Sequence, residues 1–440
     1  MGERTEKHMI DKIRQVLAAS GADAWEIRDH QETGWEFYLI GHRLDQHRVK
    51  KIHDVNLTVY RRTDDGKMLG NASGSIHVTS TDEEIKKVVE TLMERALLAR
   101  NPLYTLNQPD GEKAVAETGD DELSCEENAK AFLLAIRDVP ETKTEDLNSV
   151  EIFTSMCNDR YMNSEGVDVS SRYPSSMVEA VVNARQTDGA GEKEIELYRM
   201  YHSGTCDQEG IKKQLQQVME YGRDKLRAVQ TPALGAFPVI FSTDAALEIY
   251  HFFLDRLSAG YIYRRYSDWT PGKMVMENEK GEKLTMKAVP MLPNSSRNTR
   301  YDREGAPIRE MVLIENNTVR NNWGSRQQSQ YIGLDQSFIV SNVEVAKGSQ
   351  SSGTIRSGDY LEIVEFSDFQ VDSITGDIAG EIRLGYLHRD GKTVPVSGGS
   401  VSGNLAELSR TMQFSRERTQ YNNFLIPSLT RLEGVSITQG

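Results

Sequence analysis

Glu248 and His251 stand three residues apart in a segment whose apolar spacing predicts a helix from about Asp244 to Leu257. That spacing puts both side chains on one helical face, where an imidazole and a carboxylate could form half of a metal site. A catalytic zinc needs about three protein ligands and an open position for water. The plainer reading of His251 is a partly buried ring packed among Tyr250, Phe252 and Leu254, and the residues favour it. A self-contained metalloenzyme would need a remote third ligand such as His388. His42 and His47 lie five apart, but no Glu follows His42 and the segment has little helical pattern. We therefore assign no catalytic residue and no metal ligand, with Glu248 and His251 kept only as candidates. Other chemistries lack their motifs. There is no G-x-x-x-x-G-K-[ST] loop and no G-x-S-x-G elbow, and Gly189 and Gly191 open a G-x-G without the third glycine. Ser349–Ser352 has no histidine beside it in sequence, and the 66 acidic residues are too many for any chosen pair to be specific.

The elements that would position these residues follow from periodicity. Met9, Ile13, Val16 and Leu17 predict a first helix, stopped by Gly21. Trp35, Phe37 and Leu39 alternate as in a strand, as do Val55, Leu57 and Val59, and Asp65-Gly66 signals a hairpin into a Met68–Val78 run. Thr81 and Glu84 have capping-box spacing ahead of a helix with Ile85, Val89 and Leu92 on one face. Residues 101–122 are polar and read as a linker. A helix from about Ser124 to Arg137, strands over Val150–Met156, Met177–Ala184 and Ile195–Tyr201, and a helix from about Gln208 to Ala228 make a second unit. A second linker covers Thr231–Gly235. Beyond it, short apolar runs at Met311–Ile314, Leu361–Phe366, Ile378–Leu384 and Leu425–Leu432 predict a barrel or sandwich, and Lys347–Gly353 reads as a mobile loop. The expected fold class is α+β, with units at 1–110, 111–235 and 236–440.

Composition narrows the function. The formal net charge is −14 and there is no run of basic residues, which argues against nucleic-acid binding. No stretch is apolar enough to span a membrane. The N-terminus is charged from its start, and the three cysteines, Cys125, Cys157 and Cys206, are far apart. A cytoplasmic protein is expected.

A resemblance adds what spacing does not. Tyr301–Asn316, with Asp302, Glu304 and Gly305, resembles the "D-x-E-G" stretch of the TldD/PmbA family, once called modulators of DNA gyrase. Val371–Asp377 followed by Gly385-Tyr386, Pro395-Val396 leading to Ser402–Leu405, and Tyr161–Gly166 are similar to further family stretches. The resemblance covers about residues 150–440. In the metal-bearing branch of that family a helix carries His-Glu-x-x-x-His and a cysteine ligand follows later. Here the matching text, Ala245–Leu254, has no His-Glu pair, and no cysteine follows Cys206. Ser258–Arg265 looks like the TldE/PmbA branch. The resemblance implies a non-catalytic subunit without its own cofactor, in a heterodimer with a TldD-type subunit that holds zinc, or a homodimer when alone. The complex would act in proteolysis of unfolded peptides or leader peptides. A self-contained metallopeptidase and a regulatory, gyrase-modulating protein are the alternatives. Met311, Leu313, Ile314, Leu361 and Ile363 are expected to help line a groove for extended peptide.

Overall fold

The computed structural model describes residues 2–110, 124–188, 191–276 and 280–440. Residues 111–122 of the first linker and Gly189 lie outside them. The first half is built on one antiparallel sheet. Its strands are β1 (Ala24–Ile40), β2 (Arg43–Thr63), β3 (Met68–Ile76), β4 (Asn101–Pro102), β5 (Glu145–Asn163), β6 (Asp168–Asp188) and β7 (Gly191–Ser203), in spatial order β4-β3-β2-β1-β5-β6-β7. Strand β1 pairs with β2 on one side and β5 on the other, so one sheet runs across the boundary drawn at 110/111. That continuity was hidden because β1 and β2 extend well past their apolar stretches. Arg43–Lys51 pairs with Thr33–Ile40 although its residues are mostly exposed, so no burial pattern marks it.

Four helices cover one face of this sheet. α1 (Gly2–Ala19) and α2 (Asp82–Ala96) bury Ile13, Leu17, Ile85, Val89 and Leu92 against Ile27, Val55, Leu57 and Val59. α3 (Cys125–Arg137) and α4 (Gln208–Leu226) bury Phe132, Ile136, Leu215 and Val218 against Phe37, Val150, Ile152 and Val178. The starts of α2 and α3 are both closed by reciprocal capping boxes, Thr81 with Glu84 and Ser124 with Glu127. Gly21, at φ +74°, supplies the left-handed residue that ends the first helix.

The second half is strand-rich, as expected. β8 (Val229–Gln230) and β9 (Gly235–Phe241) precede α5 (Ala246–Arg256) and α6 (Ala259–Tyr263). β10 (Met286–Val289), β11 (Met311–Glu315), β12 (Thr318–Val319), α7 (Arg326–Tyr331), β13 (Asn342–Val345) and α8 (Ser352–Ile355) follow. Then come β14 (Tyr360–Val371), β15 (Asp377–Arg389), β16 (Lys392–Ser397), β17 (Ser400–Asn404) and α9 (Leu405–Leu408). The chain ends with β18 (Gln413–Phe414), β19 (Arg418–Tyr421), β20 (Phe424–Pro427) and β21 (Thr430–Ile437). Strands β14, β9, β21, β17 and β15 pair in turn, and β15 pairs back onto β14, closing a five-stranded barrel. A six-stranded sheet, β12-β11-β10-β13-β20-β19, lies beside it. α5 sends Ile249, Tyr250, Phe252 and Phe253 into the shared core, where the Tyr250 hydroxyl meets Thr430 Oγ1 at 2.8 Å. No helix among the described residues is long and apolar enough to cross a membrane.

Two expectations are corrected. Leu425–Leu432 is not one strand: Pro427 ends β20, Ser428 and Leu429 turn the chain, and β21 continues in the other sheet. Lys347–Gly353 is tied down along its length. The Gly348 N–H donates to Ser415 O at 2.9 Å, the Ser349 N–H to Glu282 at 3.0 Å and the Ser352 N–H to Glu417 at 2.8 Å. The small side chains allow this close approach, since a Cβ on Gly348 would lie 2.0 Å from Phe414 O.

An ionic contact at β7 joins the halves. The Arg199 guanidinium of β7 donates to the buried carboxylate of Glu365, at the irregular centre of β14, and lies 3.4 Å from Asp244. Burial pushes Glu365 up to about 7, with Arg199 opposing the rise. A carboxyl with a raised native pKa binds its proton more tightly folded than unfolded. Its contribution to stability is therefore lost as pH rises from the usual glutamate range to about 7. Urea midpoints measured between pH 5 and 8 should fall less steeply with pH in Glu365→Gln than in the parent. Equal slopes would mean that another group carries the dependence.

Candidate functional site

The α5 pair does not amount to a metal centre. His251 Nδ1 and Glu248 Oε1 are 3.6 Å apart, and the two side chains are 39% and 40% exposed. Tyr250, Phe252 and Leu254 point into the core while the His251 ring meets the edge of Phe424, centroids 4.7 Å apart. Nearby carboxylates have other partners: Asp255 accepts from the Ser373 hydroxyl at 2.8 Å, and Asp244 faces Arg199. His388 is held elsewhere, hydrogen-bonded to Thr393 and stacked on Tyr360. His42 pairs with Glu141 at 2.9 Å and His47 stacks on Trp35, so these two do not act together. Among the described residues no three His, Cys, Asp or Glu side chains converge as metal ligands would. The residues present do not fit a catalytic zinc, which needs about three.

The apolar groove residues lie inside the protein. Leu313, Ile314, Leu361 and Ile363 are fully buried in the C-terminal core, and Met311 packs against it. The side chains of those four do not face an open groove. The apolar runs that marked them as strands reflect burial in the core, not an open face.

Two of the stretches that carry the family resemblance meet at the joint between the halves. In the turn at 302–306, the Asp302 carboxylate accepts the N–H groups of Glu304 at 2.8 Å, Ala306 at 3.0 Å and Ile339 at 2.7 Å. Gly305 has φ +73°, and a Cβ there would stand 2.5 Å from the Tyr161 ring. Tyr161 belongs to the other stretch, whose turn is closed by Asn163 accepting from Glu165 N at 3.0 Å and Val167 N at 3.1 Å. Glu304 accepts from Arg326 N at 2.7 Å, and its own carbonyl takes a bond from Asn107. Residues 102–107 are thereby fastened rather than free, with Thr105 and Pro102 also held by Gln330 and Tyr331. The Val371–Asp377 stretch is the β14–β15 turn. It docks on the end of α5, where Arg256 donates to Ser373 O and Ile374 O.

Beside the joint lies a cavity of about 460 Å³ between the polar face of the N-terminal sheet and the 296–308 segment. Arg28 and His30 occupy alternate positions of β1 and face the cavity, while Ile27, just before them, points to the other face and packs with α1 and α2. Across the sheet, Asp159 accepts from the Tyr173 hydroxyl at 2.7 Å and lies 2.5 Å from His30 Nδ1. The Asp159 contact, and its charge, hold the His30 imidazole above its ordinary pKa despite partial burial. Arg297, Tyr301 and Arg303 close the other wall. Sequence reasoning missed this set entirely. Its members lie up to hundreds of residues apart, and only cross-strand pairing brings them together.

Comparison with known proteins fits this architecture. Residues 234–439 match the model of the PmbA/TldA metallopeptidase C-terminal domain. The chain is similar to the crystal structure of TldE from Thermococcus kodakarensis, at 18% identity and TM-score 0.77, over 98% of this chain and 99% of that one. It is also similar to a candidate modulator of a DNA gyrase from Thermotoga maritima, at 16% identity and TM-score 0.77, over 98% and 100%. A third neighbour is a candidate DNA gyrase modulator from Bacteroides thetaiotaomicron, at 16% identity and TM-score 0.78, over 98% of each chain. No curated protein matches the chain.

The joint gives a stability prediction. Gly305→Ala combines a left-handed backbone with a clash on Tyr161, and should cost about 2 kcal/mol or more. Gly333→Ala, also at positive φ but with open space, should cost only the ~1 kcal/mol of strain. Denaturant titrations of the two variants should rank them in that order.

Proposed function

We propose that the chain, whose residues 234–439 match the PmbA/TldA metallopeptidase C-terminal domain, is a non-catalytic, TldE-type subunit of a metallopeptidase complex of the TldD/PmbA family. In this reading a TldD-type subunit supplies zinc and the attacking water, and this chain completes an enclosed surface for unfolded peptide. The observation that carries the proposal is on α5. Outside its apolar inner face the helix carries Glu248, His251 and, one turn on, Asp255, but Asp255 is committed to the Ser373 hydroxyl and among the described residues no three such side chains converge as metal ligands would. A site missing a ligand cannot be restored by small shifts of side chains already committed to Ser373, Arg199 and Thr393.

The cavity suits the second role. Its volume falls in the ~300–1,000 Å³ range of ligand sites. Its lining combines polar side chains such as Asn56, Ser171 and Asn423 with apolar surface from Val169, Ile308 and Ile339, which suits an unfolded chain with its polar backbone and mixed side chains. Three free cysteines accord with a cytoplasmic location. The C-terminal half, which carries the family match, is the part we assign to the subunit contact. An interface of this obligate kind buries ~2,000 Å² or more.

Two measurements test the reading. Elemental analysis of the purified chain should find no stoichiometric zinc. About one tightly held zinc per chain, lost on His251→Ala, would instead indicate a self-contained metalloenzyme. Co-expression with a TldD-type subunit should yield a stable heterodimer that cleaves unfolded peptides and spares compact proteins. Strictly monomeric behaviour of both chains when mixed, or equal cleavage of folded proteins, would refute it.

A further inference from the structure

We propose that the cavity beside the joint binds a carboxylate of the peptide substrate, through Arg28, Arg297 and Arg303. The proposal rests on the peptide-binding reading above and specifies what the site recognises.

The argument is one of charge left over. Three carboxylates line the cavity, and each is already satisfied from within. Asp29 lies 2.7 Å from His53 Nε2. Asp159 is held by His30 and Tyr173. Asp302 is saturated by three backbone N–H groups of its own turn and of Ile339. Of the lining arginines, Arg160 is bidentate on Asp168, with contacts of 2.8 and 2.9 Å. The other three are not so matched. The nearest carboxylate oxygen to Arg28 is that of Glu26 at 4.0 Å, and Arg28 Nε is buried with no hydrogen-bond partner. Arg297 and Arg303 stand at the exposed rim, and their guanidinium groups make no ion pair or hydrogen bond among the described residues. The lining thus presents positive charge in excess, in a chain whose formal net charge is −14.

An unpartnered guanidinium nitrogen in a partly enclosed site is costly unless a ligand supplies the acceptor. The planar fork of arginine matches a carboxylate in two parallel hydrogen bonds. His30, with its pKa raised by Asp159, adds a further donor to the same wall. On an unfolded peptide, carboxylates come from the C-terminus and from Asp or Glu side chains. Either would anchor the chain at the joint and leave the rest of it to extend along the polar face of the sheet.

The test uses the heterodimer and four fluorescent peptides of one unstructured sequence. They carry a free or amidated C-terminus, and a Glu or Gln at one internal position. Anisotropy titration should show the acid forms binding roughly ten-fold tighter than their neutral counterparts, an advantage that shrinks as salt is raised. The pair of substitutions Arg297→Gln and Arg303→Gln should erase that difference. Both side chains are exposed, so the variant is expected to fold, and a melting curve checks this. The terminal and internal comparisons separately identify which carboxylate is read. Equal binding of acid and neutral peptides, or an advantage that survives the double substitution, overturns the carboxylate assignment while leaving peptide binding in place. No binding of any of the four peptides overturns the peptide-binding reading, and this assignment with it.

Discussion

The architecture depends on burying carboxylates at the joint on hydrogen bonds from neutral groups. Glu26, Asp302 and Glu304 all lie there, and each is met by neutral donors. The hydroxyls of Tyr60 and Tyr161 donate to Glu26 at 2.6 and 2.5 Å. Backbone N–H groups serve Asp302 and Glu304. Burial still raises the pKa of Asp302 and Glu304, so the donors offset the desolvation only in part. Hydrogen bonds to a buried charge are directional, and losing one costs more than its formation contributes. The turn at 302–306 therefore has one acceptable shape, and that shape places Gly305 on Tyr161. Everything at the cavity inherits its position from this contact, because Arg28, Tyr161, Tyr301 and Arg303 sit immediately on either side of it.

The long N-terminal sheet makes such a joint possible. One face is consumed by four helices and two apolar cores. The other face carries charged and hydroxyl side chains on alternate positions, which an isolated sheet would leave in water. Here the C-terminal half covers part of that face, and its contribution is polar as well. Packing two polar surfaces does not exclude all water-sized space, and the cavity is what remains.

Legibility in the sequence followed the periodicity of burial. α2 was marked by its capping residues and by an apolar face that the structure buries, α3 was located to within one residue of each end, and α5 to within two. Strands with one buried face, such as Val55–Val59, were equally plain. The polar extension of β2 over Arg43–Lys51 carried no signal, because its residues are mostly exposed and its pairing is a property of the backbone. Leu313 and Leu361 were visible as strand residues, but the sequence cannot say which side of a strand faces a ligand. The cavity lining was invisible for a different reason. Arg28 and Arg297 are common residue types at unremarkable spacing, and their significance lies in the partners they lack.

The resemblance supplied turns rather than chemistry, and α5 shows why that is physically reasonable. Its stability comes from Ile249, Tyr250, Phe252 and Phe253, all essentially removed from solvent, and from the Arg256 contacts at its end. Burying four such side chains contributes on the order of 1.5–3 kcal/mol each. The outward positions, Glu248 and His251, are about 40% exposed and make one long contact with each other. Exchanging residues on such a surface usually changes stability by less than ~0.5 kcal/mol. A helix of this kind can thus hold metal ligands on its outer face or have none, and the barrel around it would fold equally well. The fold constrains where a catalytic centre could stand, while the residues that would make one lie beyond what packing demands.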